Sequence, residues 1–373
     1  MKRLVCFHLF NDFSGSPKVL RMVLGGLAEK GMQIDLITSK GEGALSDLSK
    51  WKNVKTSTYA YRFSDNPAET MARYFGVQIY TFGLALRYAF KKDTTFYVNT
   101  ILPVGAALAG RLTGKRVVYH YHENAFAKGA FYKLLACAMQ ALASEIICVS
   151  AYQRSFLKRE KNVHVVPNAT PATFVARLCP NPEEAFERKR VLMLGSLKRY
   201  KGTLEFIELA QRLTDYQFEL VLNETPENIA AFWKENGISQ PANLTVHPRQ
   251  NDVVPFYNRA SVVLNLTDKN QAIETFGLTA LEAMSAGLPV IVPTVGGIAE
   301  MVDDGENGWK IDVANLDKIA EKISEMLNDK VLYCRMAKSA LEYSKKFSED
   351  SMLKNIETVS YTHLRAHETT LHL

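Results

Sequence analysis

Short runs of β-branched and apolar residues alternate with helical stretches along this chain, and the series starts twice. That narrows the fold to α/β units built on parallel sheets, because strands joined through helices run parallel and need both faces covered. The first series predicts strands at 4–9, 33–38, 96–99, 116–120, 145–149 and 163–166, separated by helices at 18–30, 73–90, 104–112, 131–143 and 151–157. The second predicts strands at 191–194, 218–221, 244–247, 262–266 and 290–292. Two Rossmann-like, doubly wound domains facing across a cleft are expected, and 373 residues at 47% hydrophobic content suffice for two cores. Proline, charge and small residues before Arg190 suggest a connection. The expected partition is a first domain 1–175, a linker 176–189, a second domain 190–345 and a C-terminal helix 346–359.

The most specific segment is Ala272 to Gly297, AIETFGLTALEAMSAGLPVIVPTVGG. It reads as a loop carrying Glu274, a turn at Phe276-Gly277, a helix from about Leu278, a stop at Gly287-Leu288-Pro289, a buried strand and a Gly-Gly turn. A helix opening on glycine presents free backbone N–H groups and a positive dipole end, a seat for phosphate. Glu274 beside that seat can hold sugar hydroxyls, and Glu282, two turns along, can accept hydrogen bonds from a ribose.

Two glutamates eight positions apart, followed by EAM-x-x-G-x-P-V and Gly296-Gly297, resemble the retaining glycosyltransferases of family 4, which have the GT-B fold; the resemblance runs from Met1 to about Val359. It implies transfer of a hexosyl unit from a nucleotide diphosphate sugar to a hydroxyl of a lipid-linked or growing surface glycan, with retention and no enzymic nucleophile. It also implies a donor site built from Phe276, Gly277, Leu278, Glu274 and Glu282. Relatives carry Gly-Arg-Leu, three residues and Lys-Gly after the strand that opens the second domain. Here Lys201 and Gly202 match, Ser196 stands at the arginine position, and Lys198 or Arg199 is left to supply that charge. In the first domain, the loop Asn11–Pro17 corresponds to one that meets donor phosphates, which makes Gly15 and Ser16 site residues, with an ordinary tight turn as the competing reading. The cluster Tyr121-His122-Glu123-Asn124 offers His122, in the loop after its strand, to the sugar or acceptor, with Glu123 beside it; His120 falls within the strand. Lys128 and Tyr132 are assigned to the acceptor side. Asn168 matches a turn that orders the hinge. Lys201, Glu274 and His122 form the expected catalytic set.

Charge supports the division of labour. Residues 1–175 carry 23 Lys+Arg against 11 Asp+Glu, whereas the whole chain nets +6, so the first half is basic and the second acidic. An anionic membrane surface with a lipid acceptor fits, and no nucleic-acid-binding signature is present. The aromatic, basic stretch 73–92 reads as core packing. Five scattered cysteines suggest buried thiols in a reducing cytosol. The expected location is cytoplasmic, peripheral on the inner face of the cell membrane, in bacterial polysaccharide assembly. No cofactor is expected, and no metal, because Asp303-Asp304 lies in a turn. No G-x-G-x-x-G follows the first strand, which argues against NAD chemistry. The final segment, residues 360–373, resembles translated sequencing-adapter read-through and is expected to be a non-native tail that does not continue the preceding helix. A non-catalytic nucleotide-sugar-binding component and a nucleotide-sugar epimerase are the alternatives.

Overall fold

The computed structural model describes residues 3–368, with side chains through Tyr361. The chain divides into two compact units, residues 1–168 with 349–373, and residues 169–348. In the first, the order is β1 (Arg3–Phe7), α1 (Gly15–Glu29), β2 (Gln33–Ser39), β3 (Val54–Tyr59), α2 (Pro67–Leu86), β4 (Thr94–Asn99), α3 (Val104–Leu112), β5 (Arg116–Tyr121), α4 (Ala130–Leu142), β6 (Glu145–Cys148), α5 (Ala151–Arg154) and β7 (Val163–Val165). The second runs α6 (Ala172–Val175), α7 (Pro182–Arg188), β8 (Arg190–Gly195), α8 (Thr203–Arg212), β9 (Gln217–Leu222), α9 (Pro226–Glu235), β10 (Leu244–His247), α10 (Val254–Arg259), β11 (Val262–Leu264), α11 (Leu278–Ser285), β12 (Val290–Val292), β13 (Gly308–Lys310), α12 (Leu316–Asn328) and α13 (Lys330–Ser344). Helix α14 (Glu349–Glu368) then belongs to the first unit.

Both sheets are parallel and share one winding. The first is ordered β3-β2-β1-β4-β5-β6-β7 and the second β10-β9-β8-β11-β12-β13. In each, the strand order reverses beside the opening strand, between β1 and β4 and between β8 and β11. Loops leaving the carboxyl ends of strands at such a reversal diverge and leave a crevice, so these two edges are where ligands are expected.

Alternation along the central strands sorts the first core. Val5, Phe7, Phe96, Val98, Val117 and Tyr119 bury against Tyr74 and Val77 of α2 and the alanines of α3. Leu4, Cys6, Tyr97 and Val118 point to the other face and are equally buried. There α1 packs on β2 and on α14. In the second unit, Phe206 of α8 meets Phe218 of β9 at 5.3 Å, and both are inaccessible to solvent. Truncating either to alanine would cost about 3–5 kcal/mol.

Several expectations are corrected. One edge strand of each sheet, β3 and β13, escapes the sequence reading. β3 is VKTSTY with its four central residues exposed, so it lacks the apolar pattern of a covered strand, and β13 is three residues long. The unit boundary falls at Asn168-Ala169, ahead of residue 175. The expected linker 176–189 contains α7: Asn181 caps it through Glu184 N at 3.3 Å, Pro182 occupies its first turn, and Phe186 packs on Tyr333 at 5.6 Å. Helix α14 continues through Glu368, with Ser360 and Tyr361 buried and the Tyr361 hydroxyl 3.1 Å from Met32 Sδ. Nothing in that stretch is a proline or glycine that would stop it; the remainder of the expected tail, residues 369–373, lies outside the described residues. The stretch 73–92 packs inward on one face only, with Phe75, Ile79 and Tyr80 exposed. Of the cysteines, Cys6 and Cys148 are buried, whereas Cys137 and Cys179 are exposed.

Candidate active site

At the carboxyl edge of the second sheet, the loops after β8 and β11 bring two charges together. The Lys201 ammonium is ion-paired with the Glu274 carboxylate, and Thr267 Oγ1 donates to the same Glu274 oxygen at 3.1 Å. Both side chains keep about a quarter of their surface in solvent, 27% and 23%. Two glycines let the loops close this far. Gly202 has φ +76° and lies against Leu266, where an added Cβ would sit 2.4 Å from the Leu266 carbonyl oxygen; Gly296, at φ +111°, stands equally close to the Glu274 carbonyl oxygen. The carbonyl of Glu274 is held in turn by Gly297 N at 2.9 Å. Burial alone would pull the Lys201 ammonium down in pKa, but the Glu274 charge and hydrogen bond outweigh it and raise the group. For Glu274 burial pushes upward, and Lys201, with hydrogen bonds from Thr267 and Asn265, carries the carboxyl below its ordinary value. The result is a fixed, fully ionised pair at the mouth of the sheet.

Helix α11 starts immediately beyond it. Its N-cap, Gly277, has no side chain to bond the first-turn amides, so the helix end stays available to an anion, with Leu278 as the first helical residue. Phe276 is buried edge-on against Phe347 at 5.9 Å and anchors the turn. One turn into α11, Glu282 accepts a hydrogen bond from the Tyr257 hydroxyl at 2.6 Å. Tyr257 is fully buried, and burial followed by the Glu282 charge holds its hydroxyl protonated, so it acts here as a donor.

Arg199 does not take the arginine position's role, whereas exposed Lys198 of the same loop is in no ion pair among the described residues. Arg199 forms two hydrogen bonds to Glu205, at 2.9 and 2.5 Å, and so is committed to the start of α8. Ser196 presents its backbone carbonyl to Thr203 Oγ1 at 3.1 Å and contributes no charge. Sequence reasoning missed Asn265 and Tyr257; it pointed to the loop from Thr267 to Ala272 for sugar choice without seeing that Thr267 bonds Glu274. It also missed a second ion pair on this edge, Lys269 with Asp312, whose carboxylate also accepts from Thr294 Oγ1 at 2.7 Å. Asn265 could have been sought in the short polar run NLTD directly after a buried strand.

The matching edge of the first sheet carries neutral groups. Asn99, ending β4, accepts from His122 Nε2 at 3.0 Å and donates to His8 Nδ1 at 3.1 Å. Those two bonds assign the tautomers: His122 carries its proton on Nε2, and His8, with Nδ1 accepting, also carries its proton on Nε2. The His120 and His122 rings meet at 4.1 Å between centres, tilted by 42°, and His120 shares a 2.7 Å hydrogen bond with the Tyr97 hydroxyl. Burial lowers all three imidazoles, His8 to about 4, His120 to about 3 and His122 well below its ordinary value. His8 Nε2 and His120 Nε2 are buried without a hydrogen-bond partner among the described residues.

Glu123 turns toward backbone: its carboxylate accepts from Ile101 N at 3.2 Å and His122 N at 3.3 Å, and burial raises its pKa. It therefore ties the loop after β4 to the one after β5. Gly15 and Ser16 are the first residues of α1, behind the N-cap Ser14, so the small-residue loop ends in a helix start. Lys128, two residues ahead of α4, lies over the Tyr132 ring at 5.2 Å. His8 and Asn99 were not legible as partners, because only the β1–β4 pairing brings them together.

Residues 13–174 match the family profile described as Glycosyltransferase Family 4, and residues 180–346 the one described as Glycosyl transferases group 1. An uncharacterized glycosyltransferase of Haemophilus influenzae is 23% identical over 369 residues, spanning 95% of this chain and 98% of that protein. N-acetyl-alpha-D-glucosaminyl L-malate synthase of Bacillus anthracis is 31% identical over 183 residues, 48% of this chain and 47% of that enzyme, so about half of its length is matched. The structure of Anabaena HepE in complex with UDP and glucose superposes with a TM-score of 0.77 at 17% identity, covering 96% of this chain and 100% of that one. Sucrose-phosphate synthase from Thermosynechococcus elongatus gives 0.76 at 18% identity, with 98% and 100% covered. At those identities the structural likeness is one of fold.

Proposed function

The chain belongs to the family 4, group 1 glycosyltransferases and has their GT-B fold, and from that premise we propose that it moves a hexosyl unit from a nucleotide diphosphate sugar to a hydroxyl of a lipid-linked or growing surface glycan, with retention at the anomeric carbon. The observation that carries this reading is the Lys201–Glu274 pair beside the uncapped start of α11. In the reaction, the bond from the anomeric carbon to the departing diphosphate breaks on the face that the acceptor hydroxyl attacks, and the leaving phosphate takes the hydroxyl proton. Negative charge grows on the diphosphate, where the Lys201 ammonium and the α11 amides meet it. Glu274 holds Lys201 in place and offers its remaining acceptor capacity to sugar hydroxyls. Glu282, braced by Tyr257, receives the ribose hydroxyls. Neutral His122 gives the acceptor side a hydrogen-bonding group without net charge. No metal has a part in this scheme; activity abolished by EDTA and restored by magnesium would overturn that point.

Anabaena HepE binds UDP and glucose, which makes uridine nucleotides the first donors to try. Thermal stabilisation of the whole chain by a panel of nucleotide diphosphates, followed by product analysis, tests the reading. A base-selective shift lost in Glu282→Ala, with nucleotide diphosphate and glycoside formed, is the expected result. A shift with no product supports a second reading, a binding component, which the Ser196 substitution and the diversion of Arg199 to Glu205 favour. No helix among the described residues is long and apolar enough to cross a membrane. A cytoplasmic enzyme meeting a lipid-linked acceptor at the inner face of the membrane is part of the proposal.

A further inference from the structure

The outer layer of the first unit is unusual in what it leaves in water. Helix α2 has no charged residue between Arg73 and Arg87, and its inward face is taken by Tyr74, Val77, Gln78, Thr81 and Ala85. The opposite face carries Met71, Phe75, Ile79 and Leu86, with Ile79 at 74% and Phe75 at 54% of full exposure, and just beyond the helix Phe90 stands at 99%. Spacings of four and seven residues place these on one stripe, about 22 Å long from Met71 to Leu86. Helix α3 packs on α2 and α4 on α3, and these two helices add exposed Leu108, Leu112 and Leu134. Among the described residues, exposed large hydrophobics in the second unit are Val175 and Val331 alone. An apolar face of this extent marks an interaction surface.

Charge names the partner. Residues 67–142 hold nine lysines and arginines and three acids, and the one acid on the three helices, Glu69, is ion-paired with Arg73. Beside the C-terminal end of α2 lies a cavity of about 450 Å³ lined by Arg3, Lys52, Lys55, Arg87, Tyr88 and Lys91. Its acid, Asp35, is neutralised by Arg3 at 2.7 Å and accepts from the Tyr88 hydroxyl at 2.9 Å. Among the described residues Lys52, Lys55, Arg87 and Lys91 make no ion pair. Exposed aromatic and aliphatic side chains rimmed by cations, over a cavity able to take phosphate, match a bilayer whose headgroups are anionic.

We propose that the α2–α4 layer is the docking face of this protein for an anionic lipid bilayer, with Phe75, Ile79 and Phe90 entering the headgroup boundary and lipid phosphates held in the cavity between β3 and the end of α2. Binding requires both parts, since apolar insertion alone is shallow and the electrostatic attraction alone is screened within a Debye length. The proposal deepens the lipid-acceptor reading above, but docking is measured without sugar transfer, so either can fail while the other stands.

The test is partitioning of the full chain onto phosphatidylcholine vesicles with and without phosphatidylglycerol. Partitioning onto the anionic vesicles is expected to exceed that onto phosphatidylcholine alone by tenfold or more, and to fall by a similar factor in about 0.5 M salt. Phe75→Glu with Ile79→Glu, at exposed positions, and separately Lys52→Glu with Lys55→Glu, should each cut it about tenfold or more while leaving the melting temperature and the nucleotide-induced shift intact. Equal partitioning of parent and variants, no preference for anionic vesicles, or no partitioning at all would overturn the proposal. A dimer in sedimentation velocity that Phe75→Glu with Ile79→Glu makes monomeric would overturn it in favour of a second copy covering this face.

Discussion

The two sheets share a winding and a place for ligands, yet their edges are equipped in opposite ways. The second holds charges in pairs, Lys201 with Glu274 and Lys269 with Asp312, partly open to water. The first holds buried His8 and His120 with half-buried His122, all uncharged, around Asn99 and Tyr97. The difference teaches that topology chooses where a site lies and side chains choose what enters it. A paired-ion edge suits an anionic ligand that can take one partner of the pair, while a desolvated imidazole cluster suits neutral hydroxyls and punishes charge.

The largest effect should come from the charged edge. Lys201→Ala removes the cation nearest the proposed leaving group and strands Glu274, and turnover should fall about 100- to 1000-fold while the protein still folds. Steady-state rates with the identified donor check it; an unchanged rate would place the reacting diphosphate elsewhere. Next in size is a contrast in acid sensitivity. His8 and His120 are held by burial at about 4 and about 3, against an ordinary 6.5, so the unfolded chain binds more protons in between. Their stabilising effect is complete above pH 6.5 and is lost as pH falls through that window. Glu274 and Glu219 lie below their ordinary 4.5, so their contribution is complete above it and declines only further down. Hydrogen exchange on acidification should therefore loosen the first unit before the second, and simultaneous loss would erase the contrast.

Smaller still is Tyr257→Phe. It takes one hydrogen bond from Glu282, so donor KM should rise about threefold to tenfold with little change in kcat; a fall in kcat alone would remove Glu282 from ribose binding. The least effect is expected of Glu205→Ala, which releases Arg199. Exposed ion pairs contribute about 1 kcal/mol or less, so the melting temperature should hardly move; a large drop would show that the pair organises the Lys201 loop.

What the sequence discloses follows from what each residue must do alone. Covered strands such as Phe96–Asn99 are read because both faces are apolar, whereas β3, open along its centre, looks like a loop. Lys201 and Glu274 stand out because each sits by a glycine at a strand–helix junction. The roles of His8, Asn99 and Tyr257 depend on partners 91 and 25 positions away, and no local pattern encodes those meetings. Arg199 is the converse case: its position suggested the donor loop, and only the fold revealed Glu205 as its partner.

The return of α14 to the first unit has a consequence for how the protein is made. Lys30 pairs with Glu357 and Arg116 donates to the Val359 carbonyl, so two contacts of the earliest-synthesised unit wait for the last helix. At about 5–20 residues per second, the intervening stretch, roughly 180 residues, takes on the order of 10–40 s to emerge. At the end of that interval the second unit has been translated while the first still shows the nascent chain an open seat, so a ribosome stalled near residue 348 would expose a defect in the part of the protein it translated first.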